Sequence, residues 1–111
     1  GDAHYEAHYD AVYSAKTAQI MSLVQVERMF VGVGGLLPPA GLFLLYGPFS
    51  IDGRHSSESN LLFDRSLRRY DPLSGVRDLR DLERFAAAAG LGLEADIEMP
   101  VNNRTLVWRR L

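Results

Sequence analysis

Cysteine is absent from this 111-residue chain, which removes disulfides, thiolate nucleophiles and cysteine-based zinc sites from consideration. A surplus of positive charge is absent too. Twelve basic residues stand against 14 acidic ones for a formal net charge of -2, so nothing general favours nucleic acid or an anionic membrane surface. Apolar runs stop far short of the roughly 20 residues that span a bilayer. Gly1–Asp10 is rich in His, Tyr and acid and has no apolar stretch of the kind a secretory signal needs. On these grounds the expected location is cytoplasmic. The last absence is the most telling. No Gly-rich turn follows a strand and opens a helix, so the phosphate-gripping element of a nucleotide-binding α/β fold is not found.

What is present suits one globular domain, with 47% apolar and 23% charged residues. Asp10–Ser14 has the pattern of a short strand. Ser22 with Gln25 three residues on makes a capping box, and Leu23, Val26, Phe30, Val33 and Leu37 recur at helical spacing. Gly34-Gly35 with Pro38-Pro39 is expected to stop that helix. Gly41–Tyr46 is continuously apolar, which predicts a strand covered on both faces in a parallel sheet. Asn60–Tyr70 is the next helix, capped by Ser59, with Leu61, Leu62, Phe63 and Leu67 apolar and Arg65, Arg68 and Arg69 outward. After the turn Asp71–Gly75, Asp78 caps a third helix that buries Leu79, Leu82, Phe85, Ala86 and Ala89 and closes at Gly90. Leu93–Met99 alternates as a half-exposed strand, Pro100–Arg104 is a connection of hairpin length, and Thr105–Arg109 is the last strand. The order is β-α-β-α followed by an antiparallel pair, an α/β domain.

The candidate site lies past the second strand, at Tyr46-Gly47-Pro48-Phe49 and Asp52-Gly53-Arg54-His55. Ligands of open α/β sheets bind at the carboxyl ends of strands. Arg54 suits an anionic or planar group and His55 suits proton transfer, with Asp52 beside them. The local alternative is a loop in which Asp52 accepts from backbone amides and Arg54 pairs nearby. Tyr46 offers a hydroxyl or simply packs. Asn60 and Asp64, one turn apart on one helix face, are either a solvated pair or site residues. Asn102 and Asn103 tolerate left-handed turn geometry. Arg77-Asp78 has the form of a helix-start ion pair. Tyr13, Met99 and Trp108 are expected in the core, and Arg104, Arg109 and Arg110 are expected to be offset by Glu94–Glu98 across strands. His4 and His8 have the spacing of a helical metal pair, but zinc needs a third ligand and only His55 remains. No metal is expected.

The residues Tyr46-Gly47-Pro48-Phe49, Asp52-Gly53-Arg54-His55, Ser59-Asn60, Phe63-Asp64, Ser66-Leu67-Arg68, Gly75-Val76-Arg77-Asp78, and Glu98-Met99-Pro100 with Asn102-Asn103 carry a resemblance. In order and spacing they resemble an uncharacterised family of methyltransferase-like proteins that includes methyltransferase-like protein 26, similar to class I S-adenosylmethionine-dependent methyltransferases. The resemblance runs from about Tyr9 to Arg110. It implies the second half of a Rossmann-like fold, a four-stranded mixed sheet of strands 4-5-7-6 flanked by helices. It also implies relatives about twice as long, whose first half carries the Gly-rich turn, an acidic residue after the second strand, and the S-adenosylmethionine site. Ser14, Lys16 and Gln19, at the end of strand 4, would then lie beside cofactor and substrate, and the Asn102-Asn103 loop would reach toward the substrate. Where the family commonly has Asn, His and Trp, this chain has Lys16, Gln19 and Leu23. An amide takes up no proton at neutral pH, so Gln19 is no general base.

The expected function follows in two forms. One is a methyltransferase-like protein, incomplete or inactive alone, that binds no cofactor tightly by itself. The other is a non-catalytic small α/β domain for a ligand or protein. The expected partners are a second copy, joined through the bare Asp10–Ser14 edge strand, and a small-molecule ligand.

Overall fold

In the computed structural model, residues 10–111 are described. The strands β1 (Ala11–Ala15), β2 (Leu42–Gly47), β5 (Leu91–Met99) and β6 (Asn103–Arg110) form one sheet in the order β1-β2-β6-β5. β1 and β2 are parallel, whereas β6 runs antiparallel to both of its neighbours. This is the expected strand order 4-5-7-6. The helices α1 (Leu23–Leu36), α2 (Glu58–Tyr70) and α3 (Leu79–Ala88) link the strands. A second, two-stranded sheet pairs β3 (Phe49–Ser50) with β4 (Arg77–Asp78). With two residues in each strand, no periodicity is long enough to reveal it from sequence.

The core lies on one face of the main sheet. Phe43 and Leu45 of β2 stand opposite Trp108 and Leu106 of β6 and are buried with Val26, Phe30 and Val33 of α1 and Leu82, Phe85 and Ala86 of α3. Phe30 is edge-on to Phe43 at 5.3 Å and to Trp108 at 5.0 Å between centroids, and Phe43 stacks on Trp108 at 5.8 Å. Such aromatic contacts add about 1 kcal/mol each beyond the area they bury. The capping box at Ser22 and Gln25 is formed as expected. On the opposite face, Leu44, Tyr46 and Val107 are only half-buried and Tyr13 is 62% exposed.

Several expectations need correction. The first helix does not stop at Gly34-Gly35 but runs through them to Leu36. Gly34 serves packing instead, because a Cβ there would come within 2.4 Å of the Ala89 carbonyl oxygen at the end of α3. Only Gly permits the two helices to approach so closely. β2 is not covered on both faces, since its residues alternate between half-buried and buried. Leu93 does not share a face with Ala95, Ile97 and Met99. Leu93 pairs with Trp108 and Ala95 with Val107, and the bulge between them turns the rest of the strand over. Trp108 is core as expected, but Tyr13 and Met99 are exposed.

α2 departs most. It starts earlier, at Glu58, and its cap is Ser57, which accepts from the Asn60 amide, rather than Ser59. The residues it buries are Asn60 and Asp64, while Leu62 and Phe63 stay exposed. Asn60 and Asp64 are therefore not a solvated pair. The cross-strand offset of the C-terminal arginines holds for two of them. Arg104 meets Asp96 at 2.7 Å and Arg109 meets Glu94 at 2.8 Å, while Arg110 turns to the Gly34 carbonyl. Those acidic partners raise the Arg104 and Arg109 guanidinium pKa values. His4 and His8 lie outside the described residues. Among the described residues no group of metal-ligating side chains is assembled, and no helix is long and apolar enough to cross a membrane.

Candidate ligand-binding site

At the carboxyl ends of β1 and β2 the chain makes two abrupt turns. Lys16 ends β1 in the left-handed region, at φ +54°, and its amide donates to the Tyr46 carbonyl at 2.7 Å. The 3-10 turn Ala18–Ile20 follows and buries Gln19. Across from it, Gly47 and Pro48 carry β2 into β3. A cleft of about 230 Å³ opens here, lined by Lys16, Gln19, Pro48, Asn60, Phe63 and Val101 among others. The Oε1 atom of Gln19 is buried and has no hydrogen-bond partner among the described residues, an uncommon state for a buried acceptor.

The walls are held by polar links rather than apolar packing. Asn60 donates its amide to Ser56 Oγ at 3.1 Å and to the Asn102 carbonyl at 3.0 Å, fastening the β5–β6 hairpin tip to the start of α2. At that tip Val101 and Asn102 are both left-handed, at φ +62° and +60°. Asn suits that geometry, but a β-branched Val does not. Val101 is nonetheless 84% exposed at the cleft edge. One turn further along α2, the Asp64 carboxylate accepts from the Val76 amide at 2.8 Å and takes Arg68 Nε at 3.0 and 3.1 Å.

Arg77 and Asp78 brace the loops that build the site. Arg77 is buried and donates to the carbonyls of Ala18, Met21 and Leu73. It thereby clamps the turn that carries Gln19, and the Gly75 amide adds a bond to the Gln19 carbonyl at 2.8 Å. Burial, then the nearby Arg68 charge, lower the Arg77 pKa. Asp78 accepts from Ser50 Oγ and from the Gly53 amide, both at 2.6 Å, and caps α3. Burial on its own would raise the Asp78 carboxyl. The Ser50 hydroxyl, the Gly53 and Arg80 amides and the Arg80 guanidinium outweigh it and hold the pKa below the ordinary Asp value. The expected Arg77–Asp78 ion pair is thus replaced by two separate braces, one to each strand-end loop.

The residues singled out in the sequence are distributed as follows. Lys16, Gln19, Asn60 and Asn103 line the cleft together. Asn102 contributes through its carbonyl. The Ser14 hydroxyl is engaged with Thr17 Oγ1 at 2.6 Å. Tyr46 lies on the open face of the sheet, paired with Thr105, and is not part of the lining. Asp52 and Arg54 stand exposed on a tight turn in which Ile51 and Arg54 exchange backbone hydrogen bonds, with Asp52 at φ +51° and Gly53 at φ +79°. His55 turns inward, its Nε2 3.5 Å from Asp64 Oδ2 and its Nδ1 buried without a partner among the described residues. It lines a separate, charged depression with Ser50, Arg68, Arg77 and Asp78. The loop past β2 therefore splits. Arg54 and His55 are not brought to the cleft, whereas Phe63, expected only on the apolar face of its helix, and Val101, which no sequence signal marked, are.

The matched sequence family covers residues 1–110 and is described as a protein of unknown function, DUF938. This chain belongs to the DUF938 family. Its fold is that of class I S-adenosylmethionine-dependent methyltransferases. The O-methyltransferase family 2 protein from Planctomyces limnophilus, solved in complex with apigenin, superposes with a TM-score of 0.81 at 15% identity, covering 100% of this chain and 33% of the other. LepI in complex with SAM gives 0.76 at 17% identity, covering 92% and 26%. Human N-acetylserotonin methyltransferase in complex with SAM gives 0.76 at 13%, covering 91% and 29%. The DUF938 chain thus spans about a third of the length of these proteins or less. The described residues that line this cleft do not fit the methyl donor. Among the described residues the one charged residue lining the cleft is Lys16, and a cation there disfavours a sulfonium. Among the described residues no carboxylate lines the cleft to receive ribose hydroxyls, and the Ser14 hydroxyl is already engaged with Thr17.

Proposed function

We propose that this chain is the acceptor-side half of a methyltransferase-like protein, related to S-adenosylmethionine-dependent enzymes and without tight donor binding of its own. The observation that carries the reading is the sheet order β1-β2-β6-β5 with β6 reversed, together with a cleft at the ends of β1 and β2 whose lining suits an acceptor better than a sulfonium donor. Methyl transfer asks a protein mainly to align two reactants and to exclude competing water. Lys16, Gln19 and the Asn60-held hairpin tip supply fixed positions for one of them. The donor grip would come from elements that precede β1 in the fold.

The edge of β1 is where those elements would attach. Among the described residues β1 pairs only with β2, and an unpaired strand edge invites β-sheet extension. In the isolated chain a second copy fills that place, giving a homodimer. Sedimentation equilibrium at tens of micromolar checks this, and a clean monomer there would rule it out.

The functional reading is tested by calorimetry with S-adenosylmethionine and S-adenosylhomocysteine. The chain is measured alone and joined behind the donor-binding half of a full-length family member. The expected result is no low-micromolar binding by the chain alone and recovery of binding in the joined protein. Tight binding by the chain alone would overturn the reading, as would a joined protein that folds yet binds neither molecule. In the joined protein, Lys16→Asn should strengthen binding of the cationic donor more than of the neutral product.

A further inference from the structure

The cleft's lining is unusual in its charge. Among the described residues Lys16 is the one charged residue of the lining and belongs to no ion pair. Arg54, on its exposed turn, also lines a cavity without an ion pair among the described residues, but other arginines are neutralised or bonded. Arg68 is held by Asp64, Arg80 by Asp78, Arg104 by Asp96, and Arg77 by three carbonyls. The remaining walls are apolar or neutral. Phe63 comes from α2 and is 42% exposed, Val101 comes from the hairpin tip, and Pro48 comes from the turn after β2. Two exposed apolar side chains held at a cleft edge, one by a strained backbone and a fixed hairpin, are a costly arrangement for a surface that meets only water. The unused Gln19 oxygen adds a polar group without a protein partner.

We propose that this cleft takes a flat, apolar organic anion, with its ring system against Phe63 and Val101 and its negative group at Lys16. The proposal deepens the acceptor-side reading and relies on it only for the location. An aryl carboxylate or a phenolate matches the cleft in shape and charge. A cationic amine does not, and a neutral ring system gains only the apolar part. Lys16 stands exposed in the left-handed region just past the end of β1 and belongs to the lining, so its ammonium is within reach of a ligand in the cleft.

The test uses the chain as it is, without any methyl donor. Amide shifts in two-dimensional NMR are followed during titration with 2-naphthoate and with its neutral isostere 2-naphthamide. The expected result is saturable shifts centred on residues 16, 19, 63 and 101, with naphthoate bound about fivefold more tightly than the amide, as one exposed ion pair provides. Lys16→Gln should bring naphthoate down to the level of the amide and leave the amide unchanged, Lys16→Arg should retain the preference, and Phe63→Ala should weaken both ligands. Equal affinity for acid and amide, a preference that survives Lys16→Gln, shifts centred elsewhere, or no saturable shifts would each overturn the proposal. Donor binding plays no part in this readout. Failure of the methyltransferase reading and failure of the anion proposal are therefore separately visible.

Discussion

The two sides of this domain are held together by different forces. On one side α1, α3 and the covered face of the sheet meet through Phe43, Phe85 and Trp108, all buried and each in aromatic contact with Phe30. On the other, α2 and the loops around the cleft are tied by Asn60, Asp64, Ser74, Arg77 and Asp78, each hydrogen-bonded to backbone of a distant segment or of the neighbouring turn. Apolar packing tolerates small shifts because it has no direction. A directed hydrogen bond between buried groups fixes a loop to a fraction of an ångström and leaves a penalty if broken. The difference indicates that the apolar side supplies stability and the polar side supplies shape.

Phe30→Ala is the strongest way to break this division. It should lower global stability by about 4 kcal/mol, read as a shift of the urea midpoint. For a domain of this size that approaches the whole margin. Asp64→Asn should cost ~2 kcal/mol by weakening the Arg68 contact and the Val76 amide's acceptor. Its mark is regional. Hydrogen exchange should accelerate in α2 and residues 73–77 while α1 and β2 keep their protection. Uniform loss of protection would show that the two sides are one cooperative unit.

Next in size is Asp78. Its carboxyl sits below the ordinary value of 3.8 in the folded chain, so the folded state favours the ionised form. The stability this contributes is fully present above the unfolded value and is lost as pH falls through the folded value. Asp78→Asn should lose about 1 kcal/mol near neutral pH, as a weakened helix cap does. Its stability should also fall less steeply on acidification than the parent's. Equal acid sensitivity in the two would remove Asp78 from the account. The smallest effect is a gain. Lys16→Gly relieves a left-handed side-chain residue and should raise stability by ~0.5 kcal/mol, the steric relief being partly offset by the entropy of Gly in the unfolded chain.

The same division explains what the sequence disclosed. The apolar side was legible because burial of nonpolar side chains leaves a periodicity. The spacing of Val26, Phe30 and Val33, the capping box at Ser22, and the strand order all followed from it or from the family motifs. The polar side leaves no such trace. In α2 the buried face is Asn60 and Asp64 and the exposed face includes Leu62 and Phe63, so hydropathy pointed the helix the wrong way. β3 and β4, two residues each, lie below any pattern. Arg77 had the sequence attributes of a helix-start ion pair, and only its carbonyl partners, two of them more than 50 residues away, reveal it as a brace. At the cleft, Lys16, Gln19, Asn60 and Asn103 were named from motif position, while Val101 was invisible because its role depends on a backbone angle.

Trp108 is the chain's single tryptophan, and it is fully buried against Phe30 and Phe43 with its indole Nε1 unpartnered among the described residues. Intrinsic fluorescence therefore samples one side of the molecule only. Its emission should be blue-shifted in the native state and should move to the red when the aromatic cluster opens. Loosening of α2 and the cleft loops would pass unseen in that signal. Far-ultraviolet dichroism, to which α2 contributes in full, would record the same event. Melting curves from the two probes should coincide in the parent protein and separate in Asp64→Asn, which makes an optical bench instrument a direct gauge of whether the cleft side can unfold while the core stays shut.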